Sequence, residues 1–184
     1  MPNIDLTDVV EVSGSGNFNL EPGGYVMVVT DFSAPIGKTY CQLLLDVAEG
    51  PKTGFYRNSK RPLSVFLNWS ETMRGRLKHA LHVLADSNPG FDPVAAFKAD
   101  DWQQFVGRSI GVIVRLEMHT YNGKDYENSE VADVTTPAVI RSGDFVVPGP
   151  RDRRDKREDA PGAPNPPAAS ATGAASSMKM PWDD

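Results

Sequence analysis

The residue types that could support catalysis are present, but never in a working arrangement. His79 and His82 stand three apart on a helical stretch, so they lie on adjacent faces, and a zinc site needs further ligands at matching positions. Cys41 is the only thiol, and neither a C-x-x-C nor an H-E-x-x-H motif occurs. Gly14-Ser15-Gly16 precedes no helix and lacks the lysine of a phosphate-binding loop, so it reads as a spacer. Asp100-Asp101 and Glu127 have no partner that spacing can identify. The expectation is a protein that is not an enzyme, with no catalytic residue, metal or cofactor.

A different chemistry is concentrated between residues 50 and 82. Lys52, Arg57, Lys60, Arg61, Arg74, Arg76 and Lys78 face a single acid there, Glu71, a local net of +6 within a chain of net −5. A local field of that size governs binding more than the overall sum does. Phe55, Tyr56, Phe66 and Trp69 are interleaved with these bases. Unpaired nucleic acid needs this mixture: cations follow the phosphates, and flat rings stack on bases that lack a complementary strand. Phe55, Tyr56, Arg57, Lys60 and Arg61 read as loop or strand-edge contacts. Phe66 reads first as core. Trp69 suits the core and the surface equally. Arg74, Arg76 and Lys78 lie on a polar helix face, where a charge run is usually only solvated. Tyr121, Lys124 and Tyr126 flank a hairpin tip at Asn122-Gly123, and they fit a nucleic-acid contact or ordinary cross-strand pairing alike.

The elements that must position these residues are mostly strands. Pro22-Gly23-Gly24 turns the chain into the β-rich Tyr25–Thr30, and Thr39–Val47 and Leu63–Leu67 follow. Ser70 opens a helix whose Met73, Leu77, Ala80, Leu81 and Leu84 recur at three- and four-residue steps, and Asn88-Pro89-Gly90 ends it. A short helix is expected over Pro93–Phe97 or Asp101–Phe105. Alternation then marks Ser109–Thr120, with Asp125–Val134 as its return strand and Thr136–Ile140 as a further short strand. The expected class is mainly β with one central helix (α+β). Five strands with a helix between the third and fourth is the element order of an OB-fold, a small Greek-key barrel, although other small α+β folds share it.

At 184 residues with 40% apolar content, the chain has room for one domain and residues to spare. From Pro148 the sequence turns to mixed charge and then to Pro, Ala, Gly and Ser, so residues 149–184 are expected to be a disordered tail and Arg151–Asp159 a solvated linker. Residues 1–22, with four acids and no base, form an N-terminal extension, which leaves 23–148 as the domain. Met180, Pro181, Trp182, Asp183 and Asp184 regain apolar and acidic character at the tip, a candidate docking segment for a protein partner. No run reaches the length of a membrane span, and the lone cysteine fits a reducing cytoplasm, so no membrane role is expected.

Several segments resemble phage-encoded single-stranded-DNA-binding proteins of replication and recombination modules. They are Asn3-Ile4-Asp5-Leu6 with Val9-Val10-Glu11, Leu20-x-Pro22-Gly23-Gly24-Tyr25-Val26, Leu45–Gly50 with Gly54-Phe55-Tyr56, Ser87–Phe91, Val106-Gly107-Arg108 and Ile140–Phe145. The resemblance covers about residues 3–148. It implies an OB-fold that coats exposed single strands, in phage or prophage DNA replication or recombination, largely without sequence preference. Bacterial relatives of that class end in an acidic tip closing on Ile-Pro-Phe; here Met180-Pro181-Trp182 keeps the proline–aromatic pair, but the acids follow it. The implied partners are single-stranded DNA, replication or recombination proteins through the tip, and further copies of the chain. The alternative reading is a protein-interaction adaptor, or an accessory subunit of a nuclease or recombinase complex.

Overall fold

Alternation of apolar and polar residues builds the sheet strand by strand. The computed structural model describes residues 19–121 and 124–154, and its elements are β1 (Gly23–Ser33), β2 (Tyr40–Val47), β3 (Leu63–Asn68), α1 (Arg74–Ser87), α2 (Pro93–Lys98), β4 (Ser109–Tyr121), β5 (Lys124–Thr135), α3 (Pro137–Ser142) and β6 (Arg151–Asp152). Leu63, Val65 and Leu67 of β3 turn inward, as do Cys41, Leu43 and Leu45 of β2. The strands join in the order β3-β2-β1-β4-β5, each antiparallel to its neighbour. Bulges at Thr30 in β1 and at Ala132 in β5, the latter opposite Ile113/Val114 of β4, shift the register and add local twist. The two outer strands, β3 and β5, approach one another without pairing. The architecture is an antiparallel sheet with helices, in the α+β class.

Helix α1 packs against β3, β4 and β5 through Leu77, Ala80, Leu81, Val83 and Leu84. Ser70 makes no side-chain cap; a 3-10 turn over Glu71–Met73 precedes the α-helix instead. At the other end Asn88 ties α1 to the start of β4: its amide donates to the Leu84 and Ser109 carbonyls, and its Oδ1 accepts from the Ser109 N–H at 2.9 Å. The short helix expected over one of two stretches after it is matched by helical turns in both, α2 and a 3-10 turn over Trp102–Phe105. Their rings join Trp69 and Phe91 in an aromatic cluster.

Four expectations need correction. Thr136–Ile140 is not a strand: Thr136 caps the Val139 N–H, Pro137 fills the first turn and Gly143 closes α3 in the left-handed region, so local capping outweighs two β-branched residues. The helix is therefore not single. The expected N-terminal boundary at residue 23 falls too late, because Leu20 is buried in the core and Asn19 bonds to β5. The Arg151–Asp159 linker begins as a strand, for β6 runs parallel to β4 with Arg151 opposite Glu117. Residues 1–18 and 155–184, including the candidate tip Met180–Asp184, lie outside the described residues.

Cys41 is fully buried on β2, and burial pushes its thiol up to about 11. The native protein is expected to resist thiol reagents at neutral pH and to label only when unfolded, which mass spectrometry checks. Labelling at the rate of a free thiol would mean that β2 opens readily.

Candidate nucleic-acid interface

The unpaired edges of β3 and β5 face each other across a cleft of about 1290 Å³. Its floor is apolar, with Leu63, Val65, Ala80, Val131 and Val134. His79 on α1 donates from Nε2 to the Val134 carbonyl at 3.0 Å, with Asp133 3.7 Å from the same nitrogen, which ties the helix to β5. Cations come to the rim from three separate stretches: Lys60 and Arg61 from the β2–β3 loop, Arg76 from α1, and Arg151 and Arg153 from β6 and the residue after it. Lys60, Arg61 and Arg76 have no carboxylate partner among the described residues. Their charges are therefore available to a ligand.

The basic loop is held by one buried carboxylate. Asp46 Oδ1 accepts from its neighbour Val47 and from the Tyr56 N–H at 2.7 Å, so the turn after β2 is pinned to the sheet. That pin buries Tyr56. Only 4% of the residue is exposed, and burial raises its phenol against the opposing pull of hydrogen bonds with Ser129 and Leu20. Tyr56 touches the cleft, but its ring is fixed in the core and does not serve as a stacking surface. Trp69 is likewise committed, with its ring stacked on Trp102 at 6.1 Å and edge-on to Phe97. Phe55 is half-buried against Tyr56, with Lys52 Nζ 5.8 Å from its ring centre. From sequence these rings are candidates to offer faces to a ligand. Packing against their own neighbours takes those faces instead.

The remaining expected residues divide by position. Lys52 and Arg57 are exposed on the loop but do not line the cleft. Residues two apart on an α-helix point about 200° apart, so Arg74 and Lys78 flank the opposite side of α1 from Arg76. On the β4–β5 hairpin, Lys124 is exposed, and Tyr126 is 43% exposed with its ring stacked on His119 at 5.8 Å. Tyr121 pairs with Lys124 in the ladder; its side chain and the Asn122-Gly123 tip lie outside the described residues.

Two site features escaped sequence reading. Phe66, expected in the core, is 49% exposed on the outer face of β3 and lines the cleft. It packs against Tyr40 of β2 at 5.5 Å, a pair of rings at the lip. The alternation of Leu63-Ser64-Val65-Phe66-Leu67 places Phe66 on the face of Ser64, a signal that its own apolarity obscured. The second feature is the arginine strap at residues 151–154. Its guanidinium groups reach Glu117, Asp125, Glu130 and Asp152, and the Arg154 guanidinium holds the Asp152 carboxyl down at about 2. No protein-family model matches the chain, and no curated protein matches its sequence.

Proposed function

We propose that the chain binds single-stranded DNA, largely without sequence preference, as a phage or prophage replication or recombination protein. The observation that carries this reading is the convergence of Lys60, Arg61, Arg76, Arg151 and Arg153 on one cleft whose lip bears Phe66. Cations from distant stretches sharing a groove with an exposed ring suit an unpaired polyanion, since the cations meet phosphates and the ring meets a base. The strand order β3-β2-β1-β4-β5, with β3 and β5 approaching at the seam, supports reading the sheet as an OB-type barrel that the cleft leaves open. Tyr126 and Lys124 on the hairpin extend the surface beyond the cleft.

Titrating a fluorescein-labelled oligothymidylate and following anisotropy tests the proposal. Tryptophan quenching is the weaker readout, because Trp69 and Trp102 are stacked on one another within the fold. Binding is expected to weaken steeply between about 50 and 200 mM salt. No binding at low salt, or binding indifferent to salt, rules the reading out.

The ring at the lip makes a sharper case. Phe66→Ala is expected to leave the melting temperature nearly unchanged, since half of the side chain is already in water. It should weaken oligothymidylate binding by about 1–3 kcal/mol, the loss of one stacked base. Equal affinity in the variant would place the bases elsewhere.

A further inference from the structure

The two walls of the cleft carry opposite charge. On the β3 side stand Lys60, Arg61 and Arg76. Opposite them, β4 and β5 line the cleft with three acids, Glu117, Glu130 and Asp133, and no lysine or arginine, a net of −3. A polyanion drawn to the first wall meets repulsion from the second. The cleft is hospitable to phosphate only if something offsets that wall.

The chain supplies the offset itself. Beyond Val114, β4 runs on past the start of β1 and leaves an edge free. Residues 151–152 take that edge in parallel register, with Arg151 opposite Glu117 and Asp152 opposite Met118, and the Arg153 N–H donates to the Met118 carbonyl at 2.8 Å. Every arginine of the segment then reaches a carboxylate of β4 or β5. Arg151 lies 3.7 Å from Glu130, which Arg115 also contacts; Arg153 pairs with Glu117; Arg154 lies 3.3 Å from Asp125. Arg151 and Arg153 line the same cleft, and so reduce the net on this wall from −3 to −1.

We infer that Arg151, Arg153 and Arg154 form a neutralising strap that makes the acidic β4–β5 wall permissive to phosphate, an inference resting on the single-stranded-DNA reading above. The placement suits that role. Arg151 and Arg153 border the same cleft as Lys60 and Arg61. A guanidinium has five N–H donors, and a carboxylate occupies two at most, so the strap keeps donors for phosphate oxygens while it cancels the acids beneath it. The backbone pairing to β4 holds these charges in register with the wall.

The experiment uses the full chain and oligothymidylate anisotropy at about 0.1 M salt. R151Q/R153Q/R154Q is expected to bind about tenfold more weakly, and adding E117Q/E130Q to that variant to recover most of the loss. In the otherwise native chain, E117Q/E130Q should bind more tightly than the native protein. That last variant reads the same charge from the other side, so the inference stays testable even if the triple variant fails to fold. Unchanged affinity in the triple variant overturns the strap, as does loss without recovery, or E117Q/E130Q binding no tighter than the native chain. A native chain that does not bind at all removes the reading beneath it, which is a distinguishable result.

Discussion

Reversing Lys60, Arg61 and Arg76 together to glutamate should abolish most oligothymidylate binding at low salt. Each phosphate contact to a single strand adds about 0.7 to the slope of log affinity against log salt, so losing three lowers the slope by about 2. Extrapolated from about 1 M salt, where the electrostatic part is small, that slope amounts to roughly a hundredfold at about 0.1 M. The three residues have no carboxylate partner among the described residues, so their reversal breaks no ion pair seen in the fold. Thermal melting should therefore stay close to native, which separates loss of binding from loss of structure. The comparison variant is R74E/K78E, on the other flank of α1. Its charges lie outside the cleft, so its effect on the slope should be small. Equal losses in the two variants would mean that binding follows the general field of residues 50–82 rather than the cleft.

Gly111→Ala should be the most damaging alanine substitution among the described glycines. Gly111 is buried on β4, paired with Val26 of β1 on one side and Thr135 of β5 on the other, beneath α3. A Cβ there meets the Thr136 carbonyl oxygen at 2.7 Å, the Thr135 carbonyl oxygen at 2.8 Å and Ile140 at 2.8 Å. Two of these three are backbone atoms, which cannot swing aside as a side chain can. The end of β5 and the cap of α3 have to move together, at a cost of about 3 kcal/mol, the upper part of the usual range for overpacking. In a domain of this size that lowers the melting temperature by roughly 10 °C. Gly24→Ala is the informative contrast. The three atoms nearest its Cβ all belong to the ring of Phe145, a side chain in the segment after α3 that can swing aside, so the expected loss is smaller. Differential scanning calorimetry on the two variants measures both. A Gly111→Ala protein that melts with the native one would show that α3 lifts from the sheet without cost.

Much of the secondary structure was legible because its signals are local. Alternation marked the strands, three- and four-residue steps marked α1, and Asn88-Pro89-Gly90 marked its end. At α3 two local signals compete: Thr136-Pro137 and Gly143 frame the segment as a cap and a stop, while its β-branched content suggests a strand. The cation-rich stretch was legible too, as a fact of composition. Which of its members share a surface was not. Arg76 and Lys78 are two residues apart, yet only Arg76 reaches the cleft, because helix geometry sends them to different flanks.

Taken alone, the order of amino acids determined the α+β class, the main strands and the central helix, since each depends on periodicity and turn chemistry within a few residues. Tertiary structure decided which rings are free and which charges meet. Tyr56 and Trp69 are spent on the core because Asp46 pins one and Trp102 stacks on the other, while Phe66 is left outside by the inward turn of Val65 and Leu67 on either side of it. Arg151 and Arg153 stand beside Lys60 and Arg61 only because β6 finds the edge that β1 leaves open on β4. Contacts across some ninety residues of chain depend on where the whole fold brings its parts, and no short window of sequence contains that information.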